Sequence, residues 1–175
     1  MCYLGVDQSL RSTGVSVVDE KACVRFRGTI QPGKRAGTVR LAYIRDSLRG
    51  ILGGQQGLLS AAIEGYSMDS LNRPFDLGEV GGLVRLVLHD AQLPFVVVSP
   101  ATLKLFVAGR GYATKEQMQQ AVLKLWGVDF SQDDECDAFG LAQVARSFYL
   151  NSGTTRTQLE VLKKLKESSK KKLLS

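Results

Sequence analysis

The fold is decided by residues 4–14, LGVDQSLRSTG, in which an apolar run ends on an acid and a polar turn follows. The apolar residues of Tyr3–Asp7 predict a short buried strand that ends at Asp7. A second apolar run, Val15–Val18, predicts the next strand. Ala22–Ile30 alternates apolar and polar residues with period two, which is typical of a half-exposed antiparallel strand. Three strands joined by short links predict a meander at the start of the chain.

Strand and helix patterns alternate after the meander. Apolar residues spaced by three and four predict a helix around residues 41–51 and a second helix that Pro74 opens. Short apolar runs predict strands at residues 61–64 and 93–98. Two patterns predict the capping boxes of later helices: Thr114 with Gln117, and Ser131 with Asp134. The order β-β-β-α-β-α-β-α-α-α predicts an α/β fold, with helices on the faces of a mixed sheet.

Length and composition limit the class of protein. The chain has 175 residues, of which 44% are hydrophobic and 23% are charged, and this suits one globular domain. No apolar run approaches the roughly 20 residues of a membrane-spanning helix, and the first residues lack a signal-peptide pattern. Three cysteines without a C-x-x-C pair argue against a disulfide framework or a structural zinc site. We therefore expect a cytoplasmic protein with no membrane partner.

The positive charge is concentrated at the end of the chain. Residues 151–175 hold seven Lys or Arg against two acids, so they carry +5 of the formal net charge of +6. We divide the chain into a domain at residues 1–150 and a basic C-terminal tail at residues 151–175, whose leucines predict a short amphipathic helix. Such a tail favours a polyanionic partner, most simply nucleic acid. The alternative is a tail that only adds solubility.

Four acids stand out by position. Asp7 and Glu64 end predicted strands, and binding sites in open α/β sheets form at the carboxyl ends of strands. Asp134 and Asp137 are three residues apart, so they share one face of the last helix. Taken singly, Asp7 could cap a turn and Asp134 could cap a helix. Taken together and in this order, the four acids favour one shared site.

A shared site of four acids needs positive charge. Two like charges about 4 Å apart repel by about 4 kcal/mol at an effective dielectric of about 20. Such a cluster persists only if it binds cations or takes up protons. Hard oxygen ligands favour Mg²⁺ or Mn²⁺ over zinc. The sequence therefore predicts a two-metal type of site that hydrolyses phosphodiesters.

Four blocks of the chain resemble the RuvC-type Holliday junction resolvases. They are LGVDQSLRSTG (4–14), AIEGY (62–66), LKLFVAGRGYATKEQM (103–118) and DECDAFGLA (134–142). The resemblance implies a ribonuclease H-like fold with a mixed five-stranded sheet flanked by helices, and a metal-dependent homodimeric endonuclease. Cellular members usually have Asp-Pro-Gly after the first strand, whereas this chain has Asp7-Gln8-Ser9. That departure favours a divergent phage or viral member.

The resemblance also implies roles for individual residues. Metal binding and catalysis fall on the four acids: Asp7, Glu64, Asp134 and Asp137. Lys104 and Lys115 match basic residues that approach the scissile phosphate; the alternative is that they are solvated helix lysines. For DNA binding we expect Tyr66 and Ser67, Arg110 in the glycine loop, and the tail residues Lys163, Lys164 and Lys170. Tyr66 falls near an aromatic residue that works at the branch point in relatives, and a packed ring is the alternative.

The predicted partners are branched DNA, in particular a four-way junction, and a second copy of the chain. Glycines at 78, 81 and 82 would let a helix approach another helix closely, as a dimer contact needs; alternatively they mark an irregular helix. Two other functions stay open. One is a ribonuclease H-like nuclease that acts on RNA or an RNA–DNA hybrid. The other is a catalytically inactive protein that binds branched DNA.

Overall fold

The computed structural model describes residues 1–66 and 74–173, with side chains up to Ser169. Ser67 lies outside the described residues, and so does the side chain of Lys170. The strands are β1 (Cys2–Asp7), β2 (Thr13–Asp19), β3 (Val24–Ile30), β4 (Leu58–Glu64) and β5 (Phe95–Val98). The helices are α1 (Gly37–Gly53), α2 (Pro74–Asp90), α3 (Pro100–Ala108), α4 (Lys115–Trp126), α5 (Asp133–Leu150) and α6 (Arg156–Leu173).

The five strands form one sheet in the order β3-β2-β1-β4-β5. Strand β1 pairs antiparallel with β2, and β2 pairs antiparallel with β3, which gives the predicted meander. On its other side β1 is parallel to β4, and β4 is parallel to β5. The mixed five-stranded sheet predicted from the sequence is therefore confirmed. Its topology brings the carboxyl ends of β1 and β4 to the same edge, side by side.

The two faces of the sheet hold separate cores. Because side chains alternate along a strand, Tyr3 points to one face and its neighbour Leu4 to the other. Helices α1 and α2 cover the Leu4 face with buried aliphatic side chains such as Ile44 and Val84. Helices α3, α4, α5 and α6 cover the Tyr3 face. Of these helices, α5 packs directly on the sheet, whereas α4 buries its apolar residues, such as Met118 and Val122, against α3 and α5.

Helix α5 lies directly on the backbone of the sheet. A Cβ at Gly5 would overlap the backbone of Ala138 and Ala142, and a Cβ at Gly14 would overlap the backbone of Asp134. Only glycine permits so close an approach of helix to strand. Of the 18 residues of α5, 10 are buried. This contact fixes the first turns of α5 over the ends of β1 and β2.

One of the two predicted capping boxes is confirmed and the other is wrong. Thr114 and Gln117 bond each other reciprocally at the start of α4, and Gly127 ends that helix in the left-handed conformation. Helix α5 does not begin with a Ser131 box, because its N-cap is Gln132, which makes no side-chain capping bond. Asp134 is then the second residue of the helix rather than the third, so its carboxylate is not at the position that bonds back to a cap.

The basic C-terminal segment forms helix α6, as its leucines predict. Its residues Val161 and Leu162 are buried in the same core as α3, and Gln158 Nε2 donates to Phe106 O at 3.4 Å. The division into a domain at residues 1–150 and a tail at residues 151–175 stays a prediction. Among the helices described, none is long and apolar enough to cross a membrane.

Candidate active site

Asp7 and Glu64 stand next to each other at the ends of β1 and β4. The parallel register of the two strands runs up to the Val6–Ile63 pair, and these acids follow immediately. Asp7 is only 7% exposed. Each of the two carboxyl groups acts on the pKa of the other. The strand ends therefore deliver two carboxyl groups to one point at the edge of the sheet.

Helix α5 brings the other two acids to the same place. Asp7 is paired with Gly14 across the antiparallel ladder, and Gly14 lies against the backbone of Asp134. Asp137 follows one helical turn later on the same face. The charges of both Asp134 and Asp137 act on Asp7. Three separate segments of the chain thus converge on a single acidic cluster, made of Asp7, Glu64, Asp134 and Asp137.

Burial makes this acidic cluster hold protons strongly. Burial raises the pKa of Asp7 well above its usual range, and the charges of Glu64 and Asp137 raise it further. Burial likewise raises the pKa of Glu64. Burial, followed by the charge of Glu64, raises the pKa of Asp137 to about 7. The cluster is therefore destabilised when fully ionised, and a cation or a proton relieves it.

The donor chemistry of the cluster fits a hard divalent cation. All four side chains offer carboxylate oxygens, the ligands that Mg²⁺ and Mn²⁺ prefer. Among the side chains that the structure describes, in residues 1–66 and 74–169, no three of the types His, Cys, Asp and Glu stand close enough together to hold a metal ion as they are. To bind an ion together, the carboxyl groups would have to turn inward, and the charge of the ion would offset their mutual repulsion. Cys136 is buried in the core, and burial raises the pKa of its thiol to about 12, so it is not a thiolate ligand.

The two predicted lysines lie beside the cluster in different ways. The charge of Lys104 lowers the pKa of both Glu64 and Asp137, so this ammonium group faces the acids from α3. Lys115 donates to Asp133 Oδ2 at 2.6 Å, and its side chain is 70% exposed. Gln119 Nε2 also donates to Asp133, at 3.2 Å. Asp133 thus ties the start of α4 to the start of α5.

Tyr66 is docked on α2 and is half exposed. Arg85 Nη1 donates to the Tyr66 hydroxyl at 3.0 Å, and this hydroxyl donates to Gly78 O at 3.3 Å. The Arg85 guanidinium carbon lies 5.0 Å from the centroid of the Tyr66 ring. A Cβ at Gly81 would overlap the hydroxyl, so glycine is what gives the ring its place. The ring is packed at its tip, yet 47% of the residue remains accessible.

The remaining predicted DNA contacts lie on two other surfaces. Arg110 is exposed in the turn between α3 and α4, beside Gln117 of α4. Lys163 and Lys164 are exposed on α6, whose neighbouring Lys166 donates to Asn151 at the end of α5. The acids sit at the beginning of α5, so the structure does not bring the α6 lysines to the acidic cluster.

Two residues of the site were not found from the sequence. Gln8 Nε2 donates to Glu64 O at 2.8 Å, between residues that are 56 positions apart. Asp133 pairs with Lys115 across two helices. Each of the two residues is adjacent in sequence to a predicted site acid, and this adjacency was the only signal in the sequence. Their roles depend on which segments meet, and residue type and spacing do not determine that.

Comparisons with known proteins identify relatives along most of the chain. The family model for the crossover junction endodeoxyribonuclease RuvC matches residues 3–145. The RuvC protein of Anaeromyxobacter sp. (strain Fw109-5) is 32% identical over 147 residues, which cover 81% of this chain and 71% of that protein. The RuvC protein of Hydrogenovibrio crunogenus is 28% identical over 159 residues, covering 86% of this chain and 89% of that protein.

Solved structures agree on the fold. Thermus thermophilus RuvC, in complex with Holliday junction substrate, superposes with a TM-score of 0.71 at 21% identity, covering 81% of this chain and 90% of that one. A second Thermus thermophilus RuvC structure also gives 0.71, at 19% identity, covering 87% and 98%. The sheet order and the family match agree with each other: the chain belongs to the RuvC family of crossover junction endodeoxyribonucleases, with their ribonuclease H-like fold.

Proposed function

We propose that this protein is a structure-selective DNA endonuclease that resolves four-way junctions by paired nicks, using Mg²⁺ or Mn²⁺. The observation that carries the proposal is the convergence of four carboxyl groups from β1, β4 and α5, with raised pKa values at Asp7, Glu64 and Asp137. Buried carboxyl groups whose ionised forms are disfavoured are suited to binding divalent cations. The protein acts in the cytoplasm, which is that of a bacterial host if the protein is phage-encoded.

The four acids hold the metal ions in this proposal. When bound, the ions activate water and stabilise the charge that develops on the oxygens of the phosphodiester. Asp7 and Glu64 come from neighbouring strand ends, so the sheet holds them side by side. Asp134 and Asp137 complete the site from a helix whose backbone rests on Gly5 and Gly14. Because three elements supply the ligands, the site requires the fully folded domain.

The nearby lysines contribute charge to the scissile region. Lys104 faces Glu64 and Asp137, where an ammonium group balances part of their charge and attracts a DNA phosphate. Lys115 reaches this region from α4, held by its ion pair with Asp133. Tyr66 and Arg110 contact the branched substrate beyond the acids. The exposed Lys163 and Lys164 on α6 add affinity by counterion release, without reading sequence.

Paired nicking needs two active sites, and helix α2 offers a surface for a second copy. Phe75 is 88% exposed and Leu86 is 63% exposed. Gly78 and Gly82 lie between them with open space over their α-carbons. The spacing of these four residues, at 0, 3, 7 and 11, puts them on one face of the helix. We place the homodimer contact on this α2 face.

The test uses labelled four-way, three-way, linear and RNA–DNA hybrid substrates, with Mg²⁺ and with chelator. We expect the wild type to nick the four-way junction only when metal is present. Asp7→Asn should abolish cleavage while leaving junction binding intact or stronger, because it removes negative charge without changing shape. The matched control is Asp46→Asn, which changes an exposed carboxylate on α1 and should cut normally.

Each alternative function has its own outcome. Preferred cutting of the hybrid would replace junction resolution with a ribonuclease H-like activity on RNA. Junction binding without nicks at any metal concentration would make the chain a binding protein. Comparable cleavage by Asp7→Asn and wild type would remove the acidic cluster from the mechanism.

A further inference from the structure

Gln8 is a buried side chain at the edge of the acidic cluster. It follows Asp7 directly and is only 6% exposed. Its Nε2 donates to the backbone oxygen of Glu64 at 2.8 Å. The Gln8 side chain thus links the residue that follows Asp7 to the main chain of Glu64.

This bond lies where the strand pairing ends. The register of β1 with β4 stops at Val6–Ile63, one position before the two acids. On the far side of β4, Gly65 N donates to Val98 O at 2.7 Å. The main chain at Glu64 is therefore held from β1 by Gln8 and from β5 by Val98.

The turn that carries Gln8 is itself fixed. Thr13 Oγ1 donates to Ser9 O at 2.9 Å and accepts a bond from Ser9 N at 3.4 Å. Gln8 Oε1 is buried and has no hydrogen-bond partner among the described residues. An unpaired buried acceptor is costly, and an aliphatic side chain would avoid that cost. What the amide supplies in return is the donor of its bond to Glu64 O.

We propose that Gln8 is a positioning residue of the metal site: its amide fixes the main chain of Glu64 relative to Asp7, so that both carboxylates reach the same cation. The inference rests on the proposed function. Two carboxylates that repel each other tend to separate, and the strand ladder no longer holds them together at this position. Side chains that orient metal ligands without touching the metal commonly change metal affinity or activity by about 10–100-fold.

The chain contains a matched control for this side chain. Gln143 is fully buried in α5, its Nε2 donates to a backbone oxygen, that of Ala22, at 3.2 Å, and its Oε1 also lacks a partner among the described residues. Ala22 lies in the turn between β2 and β3, at the end of β2 where Asp19 pairs with Cys2, the first residue of β1. Gln143→Leu therefore removes the same kind of buried bond, away from the acids.

The experiment compares Gln8→Leu with Gln143→Leu in three measurements. These are Mn²⁺ affinity of the DNA-free protein by calorimetry, single-turnover cleavage rate with Mg²⁺, and junction affinity in chelator. We expect Gln8→Leu to weaken Mn²⁺ binding and to slow cleavage by about 10-fold or more, with junction affinity unchanged. Gln143→Leu should lower only the melting temperature. Gln8→Met, which is flexible and keeps the length of the side chain, replaces Gln8→Leu if that variant does not fold.

Equal Mn²⁺ affinity and equal rates in the Gln8 and Gln143 variants would overturn the inference and leave the proposed function standing. A folded wild type that neither binds Mn²⁺ nor cuts the junction would overturn both. A Gln8 variant that loses junction affinity in chelator, while Mn²⁺ affinity stays at the wild-type value, would also overturn the inference, since the side chain would then act on DNA.

Discussion

Glycines matter at both helix α5 and helix α2, but those that face α5 are tightly packed and two of those on α2 are open to solvent. Gly5 and Gly14 on the strands face α5 so closely that any Cβ would overlap its backbone. Gly78 and Gly82 on α2 have nothing within 4 Å of the position of a Cβ. The first pair brings two polypeptide segments of one chain into contact. The second pair leaves a shallow surface on the outside of the molecule.

The glycines that face α5 belong to the part of the fold that fixes the acids, whereas the glycines of α2 belong to a surface that is free to bind a partner. On α5, close contact with the sheet sets where Asp134 and Asp137 stand relative to Asp7. On α2, the exposed Phe75 and Leu86 flank the open glycines. Glycine therefore allows close packing inside the molecule at α5 and leaves a surface open to a partner at α2. Substitutions at the two places should have different effects on stability and binding.

The strongest test of the contact at α5 is Gly5→Ala. The added methyl group would meet the backbone of Ala138 and Ala142, which cannot move without shifting the helix. We expect a loss of about 3 kcal/mol in the free energy of unfolding, together with loss of cleavage, measured by chemical denaturation and junction assay. Gly50→Ala on α1, where nothing lies within 4 Å of the added Cβ, is the control, and it should gain up to about 1 kcal/mol from helix propensity. A Gly5→Ala protein as stable as wild type would contradict the close packing.

The corresponding test of α2 is Leu86→Lys. A charge in the middle of the exposed face should oppose self-association, and we expect the dimer dissociation constant to rise about 100-fold, as at a well-buried contact. Analytical ultracentrifugation measures it, together with the fraction of paired over single nicks. Leu123→Lys, at an exposed leucine of α4, is the control. Unchanged dimerisation would move the subunit contact away from α2.

The pH dependence of stability tests the consequence of packing α5 against the strand ends. Because the pKa of Asp137 in the folded protein is raised from 3.8 to about 7, its ionisation destabilises the fold. That cost is complete above pH 7 and shrinks as the pH falls toward 3.8. In chelator, wild type should therefore gain on the order of 2 kcal/mol, about 5 °C in melting temperature, relative to Asp137→Asn between pH 8 and pH 5.

Added Mg²⁺ should reduce this difference at pH 8, since the cation replaces the proton as the source of positive charge. A difference in melting temperature between wild type and Asp137→Asn that stays constant across the whole pH range would contradict the raised pKa.

The smallest expected effect comes from Gly81→Ala, the glycine of α2 that does have a neighbour. The methyl group would displace the Tyr66 hydroxyl and the Arg85 guanidinium, both of them movable ends of side chains. We expect normal folding and about fivefold weaker junction binding, a loss that corresponds to one stacking contact, measured by fluorescence anisotropy. Gly50→Ala on α1 again provides the control. Equal affinities for the two variants would show that the docking of Tyr66 does not matter for DNA.

The strand ends were predictable because sequence and burial agree there. An apolar run that stops at an acid defines both Asp7 and Glu64, and Pro74 does start α2. The Ser131 box failed because the same three-residue spacing also lets a helix start one residue later, at Asp133. The bond from Gln8 to Glu64 could not be predicted, since it joins residues whose proximity exists only after β1 and β4 pair.

The position of α6 sets a length requirement on any substrate that touches both basic and acidic surfaces. Lys166 bonds the residue that ends α5, whereas the acids stand at its start. With 18 residues, α5 spans about 27 Å, which corresponds to about eight base pairs of duplex. A duplex arm that runs along α5 from the acids therefore reaches the C-terminal lysines only if it is longer than this.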